Sequence, residues 1–257
     1  VYIYSLFSFN NNKKKSILMI SAVIIFTALT FSRTALVVLF IVSIVFLYLN
    51  QLKFGRTFKL LACILFSLIL FFGYYIDVYS GGIVTTLFSD RIESMSIDTS
   101  DDYHLASNLG RWGSQYAAIS IGLESPLFGV GIGQSGFYLP YHYPSWAFDS
   151  FQVRNWSNSL YPLWPPIFSL YTRLISEFGF LGLSVFLYFN VNLLLKLRRI
   201  IFQEEGKISS NAKFAFLSLF MSLIIFAQFG SFRYVYYWIS LALSIIVIRE
   251  KRLNYEH

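Results

Sequence analysis

PIFSLYTRLISEFGFLGLSVFLYFNVNLLLKLRR, from Pro166 to Arg199, decides the class of this fold. Between Pro166 and Leu195 the only charged side chains are Arg173 and Glu177. A helix rises 1.5 Å per residue, so about 20 such residues cross a hydrocarbon core of ~30 Å. The run stops at Lys196, Arg198 and Arg199, a basic cluster of the kind that marks a return to the cytoplasm.

The same pattern repeats on either side of this stretch. Downstream, apolar runs near residues 212 to 229 and 233 to 248 predict a helical hairpin that turns on the outer side at Gly230 and ends inside at Arg249, Lys251 and Arg252. Upstream, Ser16 to Leu49 is interrupted only by Ser32-Arg33-Thr34. One helix over that length would run ~50 Å, too long for the core, so two antiparallel helices are expected with Arg33 at the outer turn. That choice puts Lys13, Lys14 and Lys15 on the same side as Lys53, Arg56 and Lys59. A third helix is expected from Leu60 to Ile76. The reading is an all-α integral membrane protein with about six transmembrane helices in this segment. Residues 1–76 hold three of them, 77–165 form one large extracytoplasmic loop, and 166–257 hold the other three with a cytoplasmic C-terminal tail. The chain opens on Val1, not Met, so further helices are expected ahead of it.

Composition agrees, with 56% apolar and 13% charged residues, which excludes an ordinary water-soluble domain. The single cysteine, Cys63, lies in an apolar run and offers neither a disulfide framework nor a thiolate metal site. The topology sorts the 20 basic residues into 14 inner and 6 outer ones, and every lysine falls inside. The outer six are Arg33, Arg91, Arg111, Arg154, Arg173 and Arg233. Arginine presents a planar fork suited to phosphate oxygens, so these residues point to a phosphate-bearing ligand. Nine of the 13 acidic residues also face out, so the outer face is no basic surface for nucleic acid.

Within the loop, an acidic stretch from Asp90 to Asp102 reads as solvated. A helix is expected over Gly110 to Gly122, with Arg111, Trp112, Tyr116 and Ile119 at helical spacing. After Ser125-Pro126, glycines at 129, 131, 133 and 136 make a backbone able to turn tightly or approach a ligand. Phe137 to Trp164 is dense in aromatics, among them Tyr138, Tyr141, Tyr143, Trp146, Phe148, Trp156 and Tyr161. Their faces suit sugar rings or lipid headgroups equally. Arg173 and Glu177, four residues apart, share a helix face near the outer boundary, where they form a mutual ion pair or meet substrate directly. His104, His142 and His257 show no metal-ligand spacing.

Three of these segments, in order, resemble the O-antigen polymerase and ligase family, of Wzy or WaaL type, across nearly the whole chain. Phe31-Ser32-Arg33-Thr34-Ala35-Leu36 is similar to its Ser-Arg-Gly/Thr-Ala segment between two membrane helices. Gly110-Arg111-Trp112 through Ser125-Pro126-Leu127-Phe128-Gly129-Val130-Gly131-Ile132-Gly133 resembles its outer arginine helix and Pro-Leu-Phe-Gly-Val-Gly turn, and Arg111 to Gly122 fits an arginine-to-glycine spacing of polymerase loops. Tyr171 through Leu181, with Glu177-Phe178-Gly179, resembles its Leu-x-Glu-x-Gly helix. One departure matters. Family ligases carry a His-Asn pair at the head of that helix, where this chain has Phe168 and Ser169, which favours a polymerase of repeat units over a ligase.

The resemblance implies a type C glycosyltransferase-like fold in the bacterial cytoplasmic (inner) membrane, with its active face extracytoplasmic. It implies metal-independent, cofactor-free transfer of undecaprenyl-diphosphate-linked oligosaccharide units into O-antigen, capsule or exopolysaccharide. Arg33, Arg111 and Arg173 would hold the departing diphosphate. Glu177 would accept the proton or only orient Arg173, with Asp149 and His142 as poorer bases. Arg154, Arg233, Trp112, Trp156 and Tyr161 would line the substrate path. The expected partners are the lipid-linked oligosaccharide, the membrane and a chain-length regulator. A transporter of the same saccharides is the rival, but it would place ionisable residues at the bilayer midplane on repeated broken helices.

Overall fold

The computed structural model describes residues 22–23, 33–49, 103–158, 163–204 and 206–256. The expected first helix of the N-terminal pair, all but two residues of it, the third helix at Leu60–Ile76, the acidic stretch and Tyr161 lie outside these residues. Every regular element among the described residues is helical. They are α1 (Arg33–Leu49), α2 (Tyr103–Glu124), α3 (Ser135–His142), a short 3-10 helix (Ser145–Asp149), α4 (Phe151–Trp156), α5 (Leu170–Gln203), α6 (Gly206–Ile225) and α7 (Val235–Glu256). Two stretches, Leu170–Gln203 and Ile208–Ile225, are long and apolar enough to cross a membrane.

The chain divides into two units. One gathers α1, residues Ala118–Ser135 and everything from Ile167 on, and the other holds α2 up to Ala117 together with Gly136–Pro166. In the first, α6 packs against α1, α5 and α7. The stripe Val38, Val42, Val45 and Leu49 on α1, spaced for one helix face, meets Leu197 and Ile201 of α5 and Ala212 and Ala215 of α6. A second cluster joins Leu170 and Leu174 of α5 to Leu219, Phe226 and Tyr237.

The ends of these helices differ from the expected ones. α2 begins seven residues ahead of Gly110. α6 and α7 span 206–225 and 235–256 instead of 212–229 and 233–248. Hydropathy misses the polar turns at helix ends, where Ser and Asn continue a helix without making it apolar, and it runs on through Phe226 and Phe229, which belong to the turn. A larger difference lies inside α5. The run expected as one helix starts at Leu170, four residues after Pro166, and breaks at Gly179, whose φ of 67° and ψ of −170° are not helical.

Candidate functional site

The break at Gly179 organises the site. An unbroken helix would have the Phe180 and Leu181 N–H groups donating to the Ser176 and Glu177 carbonyls. Instead Phe180 N–H donates to the Pro126 carbonyl at 2.7 Å. The two carbonyls accept Val130 N–H at 2.9 Å and Gly131 N–H at 3.0 Å. The Pro-Leu-Phe-Gly-Val-Gly turn is thus spliced into α5, and three of the backbone groups at the break find partners there. Such close approach requires glycine on both sides. A Cβ on Gly129, at φ +66°, would stand 2.5 Å from the Ser176 oxygen, and one on Gly179 would collide with the Leu127 carbonyl carbon. Gly179 sits in a region of backbone space essentially reserved for glycine.

The splice fixes the turn of α5 that bears Arg173 and Glu177. Glu177 is buried, and its Oε1 accepts hydrogen bonds from Arg173 Nε at 3.0 Å and from Ser135 Oγ at 3.0 Å. Arg173 Nη1 donates to the Gly230 carbonyl at 3.0 Å. Two of the three guanidinium nitrogens are therefore held. Nη2 makes no hydrogen bond among the described residues, and the side chain stays 36% exposed.

The Gly230 carbonyl is itself firmly placed. Phe226, wholly buried at the end of α6, packs ring to ring with Tyr237 at 5.0 Å and with Phe186 and Phe232 at slightly longer range. Its carbonyl accepts Leu170 N–H at 2.9 Å, and Tyr171 Oη donates to the Leu223 carbonyl at 2.7 Å. The head of α5 thereby satisfies carbonyls at the α6 end that have no partner within their own helix. Deeper in the bundle, buried Asn190 accepts from Tyr237 Oη at 3.2 Å and donates to the Phe186 carbonyl at 2.9 Å.

The second unit holds others of the residues expected at the site. In Gly110-Arg111-Trp112-Gly113 the glycines face inward, and a Cβ on Gly113 would come within 2.6 Å of Ala147 Cβ. Arg111 and Trp112 point out, the indole 62% exposed. Tyr116 meets Trp146 edge to face. Arg154 Nη1 donates to the Phe148 carbonyl at 3.1 Å. Half-buried Trp156 stacks on buried Tyr143 with centroids 6.5 Å apart. Burial pushes the Tyr143 hydroxyl well above the ordinary tyrosine value, opposed more weakly by the neighbouring Ser114 hydroxyl. Ser114 Oγ in turn donates to the Pro166 carbonyl.

The structure thus brings Arg173 and Glu177 together, adding Ser135 and the Gly230 carbonyl. It places Arg111, Trp112, Arg154 and Trp156 in the other unit. Arg33 opens α1, and Arg233 is exposed beside the α6–α7 turn, its N–H on Ser231 Oγ. Ser135 escaped the sequence reading, since its bond to a carboxylate 42 positions away leaves no local pattern. Gly230 was legible as a turn but not as an acceptor. His142 Nδ1 lies 2.8 Å from the Tyr138 carbonyl and so donates to it. Among the described residues no group of His, Cys, Asp or Glu stands together as a metal site.

A family model described as O-antigen ligase matches residues 17–187, a stretch that takes in α1, α2, the glycine turn and α5 past its break. No curated protein matches the chain.

Proposed function

The chain belongs to the O-antigen ligase family, and from that membership we propose that it polymerises undecaprenyl-diphosphate-linked oligosaccharide units on the outer face of the cytoplasmic membrane. The family supports a membrane enzyme acting on lipid-linked glycans. The observation that carries the finer reading is the held guanidinium of Arg173, fixed through Nε and Nη1 with its outer edge exposed. The unbroken part of α5, from Phe180 to Lys196, rises about 24 Å at 1.5 Å per residue, most of one hydrocarbon thickness. Arg173, ahead of the break, is proposed near the level of lipid phosphates.

In the proposed reaction an acceptor hydroxyl of one unit attacks the anomeric carbon of the other glycan. The new C–O bond forms as the bond from that carbon to the diphosphate oxygen breaks, and the lipid diphosphate leaves with the electron pair. A preorganised cation stabilises the charge that grows on the leaving oxygen without reorganising during the reaction. Arg173 is built for that role, and Arg33 and Arg111 are proposed as further contributors. Glu177, buried and already accepting two hydrogen bonds, acts as a positioning residue for Arg173. The hydroxyl proton passes to another acceptor or to water. Trp112, Trp156, Tyr161, Arg154 and Arg233 are proposed along the glycan path, and a chain-length regulator as a partner. Phe168 and Ser169, in place of the ligases' His-Asn pair, favour a polymerase over a ligase.

Deleting the protein separates these two activities. A polymerase deletion leaves single repeat units both on the carrier lipid and on the final acceptor. A ligase deletion leaves full-length chains stranded on the carrier lipid. Gel laddering of both fractions, with complementation, tests the polymerase reading, and stranded long chains would overturn it.

A further inference from the structure

The turn spliced into α5 carries side chains of one kind. From Pro126 to Gly133 the chain reads Pro-Leu-Phe-Gly-Val-Gly-Ile-Gly, without one polar side chain, between Glu124-Ser125 and Gln134. Leu127, Phe128 and Ile132 are 66%, 71% and 72% exposed. Turns that face water draw on Asn, Asp and Ser, whose side chains bond to nearby backbone. Three large apolar side chains held out together on a short turn mark a contact surface instead.

The attachment of the turn shows what it meets. Phe180 N–H donates to the Pro126 carbonyl, and a Cβ on Gly179 would collide with the Leu127 carbonyl carbon, so Leu127 lies level with the head of the unbroken part of α5. α5 is long and apolar enough to cross a membrane, and beyond the break Leu181, Val185 and Tyr188, spaced for one helix face, are all exposed. Such a face on a membrane-spanning helix lies against acyl chains. The exposed side chains of the turn therefore stand at the level where the lipid-facing surface of α5 begins. Backbone bonding fits the same place. Irregular backbone beside hydrocarbon is costly unless its polar groups are bonded within the protein. Pro126 has no N–H, and the N–H groups of Gly129, Val130 and Gly131 donate to the Ser125, Ser176 and Glu177 carbonyls.

We propose that this turn is a membrane wedge, with Leu127, Phe128 and Ile132 among the first acyl carbons of phospholipids in the leaflet at the Leu170 end of α5. Because the turn is bonded to the Ser176 and Glu177 carbonyls, the wedge also sets the depth of the helical turn that bears Arg173. The experiment attaches a spin label at Phe128→Cys or at Ile132→Cys, in the full chain with Cys63→Ser, in phosphatidylcholine nanodiscs free of polyprenyl carrier. Accessibility of the label to oxygen is compared with accessibility to a polar nickel chelate. The oxygen-to-nickel ratio at both positions should match that of a label at Val185→Cys on α5. It should exceed that at Asn155→Cys, an exposed polar position, by about tenfold, since an apolar gas enters hydrocarbon and a polar chelate is excluded from it. The second label position serves if the first variant fails to fold. A ratio equal to that at Asn155→Cys would put the turn in water, and a label closed to both probes would put it under a second copy or another part of this chain. Either result would overturn the proposal.

Discussion

Arg173 Nε lies 3.0 Å from Glu177 Oε1, and of the two side chains it is the carboxylate that is buried, at 4% exposure against 36% for the arginine. The pair points its cation outward and keeps its anion as a hidden counter-charge. Glu177 Oε1, already accepting from Arg173 and Ser135, is engaged in holding the guanidinium.

Arg173→Lys keeps the charge but cannot reach Glu177 and the Gly230 carbonyl together, since an ammonium is a single point where the guanidinium is a rigid fork. The transfer rate in membrane vesicles supplied with labelled lipid-linked units should fall roughly ten- to a hundredfold. A rate equal to wild type would show that the geometry at Arg173 is irrelevant to turnover.

Glu177→Gln preserves the shape and the acceptor oxygen while removing the counter-charge. If Glu177 positions Arg173, the variant keeps a measurable fraction of activity, on the order of a tenth, with an unshifted pH–rate profile. Loss of the acidic limb of that profile, together with near-complete inactivity, would identify Glu177 as the general base.

Gly179→Ala forces a side chain into a glycine-only conformation and against the Leu127–Pro126 backbone. It should cost about 3 kcal/mol or more, from strain and overpacking combined. Gly133→Ala, also at positive φ but with open space around it, should cost only about 1 kcal/mol. Melting temperatures of the two variants in one detergent make the comparison, and equal losses would mean that the splice contributes nothing.

Tyr143 is held neutral by burial, so its folded value lies above the unfolded value of 10.0. Its contribution to stability is complete below about pH 10 and is lost as pH rises above that, because the unfolded chain releases the proton first. Wild type should therefore lose more melting temperature than Tyr143→Phe on going from pH 9 to about 11. Parallel declines would place the hydroxyl in contact with solvent.

The apolar runs made α5 and α6 legible as helices, and the i, i+4 spacing made the Arg173–Glu177 pair legible, because both follow from local periodicity. The break at Gly179 was not. Its sequence marks, glycines at 129 and 179, are common residues, and the bonds that join them run between backbone groups some 50 positions apart. Ser135 and the Gly230 carbonyl were hidden for the same reason. Helix ends at Tyr103 and Gly206 depend on polar first turns that hydropathy does not register. Gly110 and Gly113 were visible as residues, but their inward packing, which turns Arg111 and Trp112 outward, needed the partner at Ala147.

The glycine turn and α5 are sewn together through main-chain atoms, so the stitch is indifferent to the side chains at Leu127, Phe128 and Val130. The segment that follows, from Gly136 to Pro166, contributes nothing to that stitch. Changes of length there leave those main-chain bonds in place. The aromatic segment can therefore be exchanged for another of different length while the charged anchor on α5 is inherited unchanged.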